Sequence, residues 1–193
     1  MLNILVVSAL AVLFFILLTL YVLNALGLSK MAKTLKIKNG WFAYIPFFNQ
    51  FLKGKIADTV NTTRQKKSLF KMFLPVSAAV VFIMMIAVQI ITARELPSIF
   101  DASKQAYYNG TTITAADFAP LKSLIMPAVL YVVFAICYKI ERLAATYRIY
   151  DRFDTQNKKI FTVIGVFFDV LTPLFIFTSA QKSAEDEAQK SDE

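Results

Sequence analysis

Residues 2–28 read LNILVVSALAVLFFILLTLYVLNALGL, a stretch without a single charged side chain. A helix needs about 20 predominantly apolar residues to cross the hydrocarbon core of a bilayer, so this stretch predicts a membrane-spanning helix. A cleaved signal peptide is the alternative interpretation, but such a peptide begins with basic residues and the first Lys or Arg here is Lys30. The excess length predicts that the helix is tilted or that one end lies among the lipid headgroups.

Three further apolar runs of spanning length follow, at 72–92, 121–140 and 160–180. Apolar residues make up 57% of the 193-residue chain, compared with about 45–50% in soluble domains. We therefore predict an all-α polytopic membrane protein, a bundle of four transmembrane helices that forms a single domain over 1–180. The tail 181–193 is polar and strongly charged, a composition typical of disorder, and is predicted to be disordered.

Residues 41–60, WFAYIPFFNQFLKGKIADTV, are rich in aromatic side chains but too polar to cross a bilayer. At helical spacing the larger apolar side chains fall on one broad face, and Pro46 is suited to the first turn of a helix running to about Val60. We predict an interfacial amphipathic or re-entrant helix, with a helix packed under the bundle as the alternative. The residues expected at the membrane interface are Trp41, Tyr44, Pro46, Phe48, Asn49 and Phe51.

Basic residues concentrate in two stretches between the apolar runs. Residues 29–71 carry ten basic side chains and one acidic side chain, a net charge of +9, and residues 139–159 have a net charge of +3. The stretch 93–122 has no net charge. Because Lys and Arg collect in cytoplasmic loops, the two basic stretches are predicted to face the cytoplasm. With four spans, a multi-pass protein of a bacterial cytoplasmic membrane would then have both termini outside.

Composition excludes several kinds of chemistry. The chain has no His and one cysteine, Cys137, so the commonest general base, the commonest zinc ligand and an intramolecular disulfide are all missing. It also lacks the phosphate-binding, nucleophile-elbow, metalloprotease and dithiol motifs. We predict no cofactor, no metal site and no enzymatic activity. The net charge of +8 is assigned to the membrane surface, and no nucleic-acid partner is predicted.

Two groups of residues are functional hypotheses. Asp169 lies inside the fourth apolar run, where an ionisable group is costly, so it is a candidate for an ion or proton pathway together with Gln89. The alternative is a structural hydrogen bond between helices. A second hypothesis is a docking surface for a protein partner or anionic lipid; the alternative is a solvated helix end with weak ion pairs. The docking candidates are Lys53, Lys55, Lys66, Lys67, Arg142 and Arg148.

Two segments resemble a family of small multi-spanning membrane proteins from Gram-positive bacteria. The first runs from Gly40 to Asn49 and continues into the sequence Gly-Lys-Ile-Ala-Asp at 54–58; the second comprises Tyr147 to Tyr150 and the last apolar run with Pro173. Those proteins are uncharacterised, so the resemblance implies the membrane fold and no activity. Within the first segment, Asn49 is expected to hydrogen-bond exposed backbone and Gly54 to permit close helix approach.

The leading functional prediction is a non-enzymatic accessory or scaffold protein in the lipid bilayer. Its basic, aromatic cytoplasmic face would bind another membrane or cytoplasmic protein, a second copy of the chain, or anionic lipid. An oligomeric channel or small transporter with Asp169 lining the pathway is the first alternative. A membrane enzyme acting on lipid is the second.

Overall fold

The computed structural model describes residues 2–60, 69–110, 112 and 122–191, and these residues form helices and turns without a strand. The helices are α1 (Leu2–Thr34), α2 (Phe48–Val60), α3 (Phe70–Asn109), α4 (Lys122–Phe153), α5 (Lys158–Phe167) and α6 (Thr172–Ser191). Short 3-10 helices lie at Gly40–Tyr44 and Asp169–Leu171. The predicted all-α class is confirmed.

Among the described residues, three helices are long and apolar enough to cross a membrane: α1, α3 and α4. All three helices extend beyond the C-terminal ends of the predicted runs. Leu121, the predicted start of the third run, lies outside the described residues. Helix α3 ends at Asn109, where Gly110 has a φ of 65°, as expected for a turn at this pair. Helix α4 continues through its charged residues to Phe153.

The run 160–180 was predicted to form a fourth continuous span, and the structure does not contain that helix. Helix α5 ends at Phe167, a 3-10 turn covers Asp169–Leu171, and α6 starts at Thr172. Pro173 therefore occupies the first turn of α6, where its missing amide hydrogen costs nothing, instead of a helix interior. Helix α6 continues to Ser191 through the tail that was predicted to be disordered.

The chain forms two compact units where the sequence predicted one domain: Met1–Pro75 with Glu141–Glu193, and Val76–Ile140. In the second unit, every side chain that the structure describes is half-buried or exposed. In the first unit, residues 6–18 of α1 are exposed on all sides, whereas residues 25–60, 69–75 and 141–183 pack together. We call this packed part the cap. All buried side chains of the described chain lie in it.

Candidate functional site

Helices α5 and α6 form an antiparallel hairpin. A Cβ added to Gly165 would lie 3.3 Å from the Thr172 hydroxyl, and the rings of Phe161 and Phe175 stack with centroids 4.4 Å apart. Further from the turn, the Lys182 ammonium donates to the Asp154 carboxylate at 3.2 Å, just before α5. Residues later in α6 therefore contact residues earlier in α5 and, at Asp154, in the segment between α4 and α5. The chain after the turn returns to the level at which the hairpin began.

Asp169 lies in the turn of this hairpin and not in the middle of a spanning helix. The Arg142 guanidinium of α4 donates from Nη1 to Asp169 Oδ2 at 2.6 Å, and the Thr172 hydroxyl donates to Oδ1 at 3.3 Å. Arg142 of α4 pairs with Asp169 in the turn, and Asp154 at the end of α4 pairs with Lys182 of α6. Helices α4 and α6 therefore run parallel between these two ion pairs. The turn is therefore level with Arg142, near the start of the charged part of α4.

Lys53 of α2 is buried next to this ion pair, with 2% of its surface exposed. Burial holds the pKa of its ammonium well below the ordinary value; the positive charge of Arg142 lowers it further, while Asp169 opposes the shift. Arg142 Nε and the Tyr150 hydroxyl are also buried, and neither has a hydrogen-bond partner in the described part of the chain. The sequence singled out Asp169, Lys53 and Arg142 for different roles and did not predict that they meet beside Tyr150, because the packing of separate helices brings them together.

Asn49 connects the aromatic-rich residues 41–60 to α1 through side-chain hydrogen bonds. Its amide donates to the Ala43 carbonyl at 2.8 Å, and its oxygen accepts from Asn24 Nδ2 at 3.2 Å. The predicted hydrogen bond from Asn49 to the backbone is present, but the Ala43 carbonyl that it reaches is buried and not exposed. Pro46 lies in the turn before α2, two residues ahead of the helix it was predicted to begin.

Gly54 and Asp58 of α2 hold the N-terminus of α3. A Cβ on Gly54 would lie 2.4 Å from the Phe70 carbonyl oxygen, so only glycine allows this approach, as predicted. The Asp58 carboxylate accepts the backbone N–H groups of Phe70 and Lys71 at 3.2 and 3.0 Å, amides that have no partner within their own helix. The conspicuous Gly-Lys-Ile-Ala-Asp stretch therefore builds a joint between helices.

Aromatic side chains enclose an open-sided cavity of about 250 Å³ in the cap. The Phe42 ring lies 5.0 Å from Phe48 and 6.3 Å from Phe51, centroid to centroid. Trp41 packs edge-on against Phe42 at 4.7 Å and is exposed, as are Tyr44 and Phe48. We call the cavity the aromatic pocket; its lining residues are Phe42, Phe47, Phe48, Phe51 and Pro75.

The predicted docking residues do not form one surface. Lys53 is buried, Arg142 is paired with Asp169, and the Arg148 guanidinium lies 4.5 Å from the centre of the Phe70 ring. Lys55 is half-buried, whereas Lys66 and Lys67 lie outside the described residues. Gln89, the predicted companion of Asp169, is an exposed residue of the second unit. Exposed basic side chains of the cap that the docking prediction omitted are Lys30, Lys33, Lys36, Lys38, Lys71, Arg152 and Lys159.

The cap offers surfaces for binding and no reactive constellation among its described residues. The Asp169 carboxylate is occupied by Arg142, and the described chain contains no cluster of three metal-ligating acidic, cysteine or histidine side chains. The aromatic pocket is lined by apolar groups alone. No family model, curated protein or solved structure matches this chain.

Proposed function

We propose that this protein is a non-enzymatic scaffold of the bacterial cytoplasmic membrane, which holds the cap against the anionic inner leaflet. The observation that carries the proposal is the presence of exposed aromatic side chains and exposed lysines on the same small folded module. Such a module binds lipid through both apolar contact and headgroup charge. A membrane-bound platform of this kind recruits a protein partner or a second copy of the chain.

The apolar part of the cap's surface supports its placement at the membrane. Trp41 is 57% exposed, and Phe167 and Phe168 at the tip of the α5–α6 hairpin are 76% and 62% exposed. Large apolar side chains of a folded module are seldom left to water in such numbers, and Trp in particular favours the headgroup layer. The hairpin tip lies beside Arg142, at the start of the charged C-terminal part of α4, which supports a position near the point where α4 would leave the hydrocarbon core.

The charge of the cap supports its placement on the cytoplasmic side. The stretch 29–71 carries a net charge of +9, and its residues 29–60 and 69–71, with seven of its ten basic side chains, lie in the cap. Lys and Arg residues flanking membrane spans are retained on the cytoplasmic side, where anionic lipids attract them. Together with three spans and a returning hairpin, this orientation puts the N-terminus outside and the C-terminus in the cytoplasm.

The alternative functions gain less support. A channel lined by Asp169 needs a carboxylate that faces a path, and this one accepts hydrogen bonds from Arg142 and Thr172 in a turn. A lipid-modifying enzyme needs an activated nucleophile or a bound metal. The scaffold proposal requires only the surfaces that the cap presents.

Trp41 provides a direct test, because it is the only tryptophan in the chain. The protein is reconstituted into phosphatidylcholine bilayers that contain a fixed minor fraction of phosphatidylglycerol. Bromine atoms, which quench tryptophan fluorescence, are placed on the acyl chains of one lipid or the other at equal mole fraction. Brominated phosphatidylglycerol is expected to quench Trp41 more strongly than brominated phosphatidylcholine, and the difference should shrink at high salt.

The matched variant replaces the exposed Lys30, Lys33, Lys36 and Lys38 by Gln and should abolish the preference for phosphatidylglycerol. Equal quenching by the two lipids in the unsubstituted protein would overturn the proposed binding of anionic lipid. Absence of quenching by either lipid would show that the cap does not touch the membrane.

A further inference from the structure

The aromatic pocket lies where α2 meets the first residues of α3. Phe51 of α2 and Pro75 of α3 both line it. Further along α2, Gly54 meets the backbone of Phe70 and Lys71, and Asp58 caps the same two residues. Phe51 and Pro75 therefore lie at the pocket, whereas residues further along α2 lie beside the first residues of α3, away from the pocket.

This register brings two lysines to the same side of the pocket. Lys55 follows Phe51 by four residues, and Lys71 precedes Pro75 by four, so each lysine shares a helix face with a pocket-lining residue. Lys71 is exposed and Lys55 is half-buried. The nearby Asp58 carboxylate is engaged by the backbone amides of α3. Both lysines thus lie about one helical turn from a residue that lines the apolar pocket.

Phe47 adds an independent sign that the pocket has a purpose. Its φ is 66°, in the left-handed region that non-glycine residues seldom adopt and that is unusual for a bulky side chain. Such a conformation is energetically unfavourable for a residue with a side chain and is concentrated at functional sites. Here the strained backbone contributes a half-exposed phenyl ring to the wall of the pocket.

We propose that the aromatic pocket is a binding site for one anionic phospholipid molecule, with an acyl chain among the phenyl rings and the phosphate at Lys55 and Lys71. A volume of about 250 Å³ corresponds to roughly eight groups of the size of water, enough for a segment of one acyl chain. The apolar lining excludes the headgroup from the pocket, and the two lysines attract it to the rim. This site rests on the proposed contact of the cap with the anionic leaflet and identifies one specific site within it.

Native mass spectrometry of the full-length protein provides the test, after extraction in mild detergent and titration with phosphatidylglycerol. The unsubstituted protein should retain one tightly bound lipid. The double variant Lys55→Gln, Lys71→Gln should bind it roughly 30-fold more weakly, the factor typical of two lysines at an anionic surface. The control Lys33→Gln, Lys36→Gln removes the same charge from the end of α1 and should retain the lipid.

A pocket variant separates lipid binding from folding. Phe47→Gly removes a ring from the wall and allows the observed positive φ without strain. Relief of the positive φ offsets part of the cost of losing the ring's contacts, so this variant should keep a cooperative thermal unfolding transition yet lose the retained lipid. Retention of the lipid by both Phe47→Gly and the double variant Lys55→Gln, Lys71→Gln would overturn the site. The site would also be overturned if the control Lys33→Gln, Lys36→Gln weakened lipid binding as much as the double variant does.

The two levels of the proposal fail differently. Suppose that the double variant Lys55→Gln, Lys71→Gln and Phe47→Gly lose the single lipid that the unsubstituted protein retains, while Trp41 in these variants is still quenched more strongly by brominated phosphatidylglycerol. This result would confirm the pocket and leave the proposed function standing. A Trp41 preference in a protein that retains no lipid at all would overturn the pocket alone. If quenching is equal for both lipids and no lipid is retained, both are wrong.

Discussion

Arg142 and Asp169 lie 27 positions apart in the chain, yet the Arg142 guanidinium donates to the Asp169 carboxylate at 2.6 Å. The contact joins α4 to the turn between α5 and α6, at the start of the charged C-terminal part of α4. The ion pair explains why an acidic residue lies inside an apolar run, and this explanation does not require an ion-conducting path. The acid ends a hairpin, and the hairpin is held in place by a partner on another helix.

Loss of this ion pair should destabilise the cap. Asp169→Asn leaves the guanidinium, whose Nε is buried without a partner in the described chain, facing a neutral amide. We expect a loss of about 1–3 kcal/mol in unfolding free energy. In a double-mutant cycle with Arg142→Met, the coupling should exceed the roughly 0.2–1 kcal/mol of an exposed pair. Asp151→Asn, which removes the surface pair of Asp151 with Lys158, is the control. Equal effects of the two substitutions would contradict this prediction.

Lys53 should make the stability of the cap depend on pH. Burial lowers its pKa well below the ordinary value of 10.5, so between the lowered value and 10.5 the unfolded chain binds a proton that the folded chain does not. The unfolding free energy therefore rises with pH in that window, by up to about 1.4 kcal/mol per pH unit. Thermal unfolding in detergent at several pH values up to 10 measures this slope. Lys53→Met should reduce it, whereas Lys33→Met, at an exposed site, should not; an unchanged slope in Lys53→Met would show that Lys53 is charged in the fold.

Gly54→Ala should disrupt the joint between α2 and α3. The added methyl group would lie 2.4 Å from a backbone carbonyl oxygen, which cannot move aside as a flexible side chain does. We expect a destabilisation of about 1–3 kcal/mol. Gly40→Ala is the matched control, since its nearest neighbour would be at an ordinary 3.5 Å. Both are measured by thermal unfolding, and comparable melting temperatures for the two variants would contradict the close approach.

The hairpin predicts that the two termini lie on opposite sides of the membrane. In a Cys137→Ser background, a cysteine introduced at Lys190 should react with a membrane-impermeant thiol reagent only after the cells are permeabilised. A cysteine at Tyr108, an exposed residue near the end of α3, should react in intact cells. Labelling at position 190 from outside would restore the topology with four spans and both termini outside.

The sequence alone determined that this chain is helical and that α1, α3 and α4 are long and apolar enough to cross a bilayer. The reason is general: a backbone in hydrocarbon must satisfy its own hydrogen bonds, so an uncharged run of about 20 residues is recognisable from composition. The local roles of Asn49 and Gly54 were also predictable, because each depends on a property of the residue itself.

Only the tertiary structure decided what becomes of the run 160–180. Hydropathy records how apolar a segment is but not whether it continues or turns back, and the turn at 168–171 is stabilised by Arg142, a distant residue. The burial of Lys53 depends in the same way on helices far apart in sequence, whereas the aromatic pocket is built mainly from residues 42–51 and completed by Pro75. The acid inside the last apolar run marks the turn of a hairpin because three-dimensional packing supplies its cationic partner.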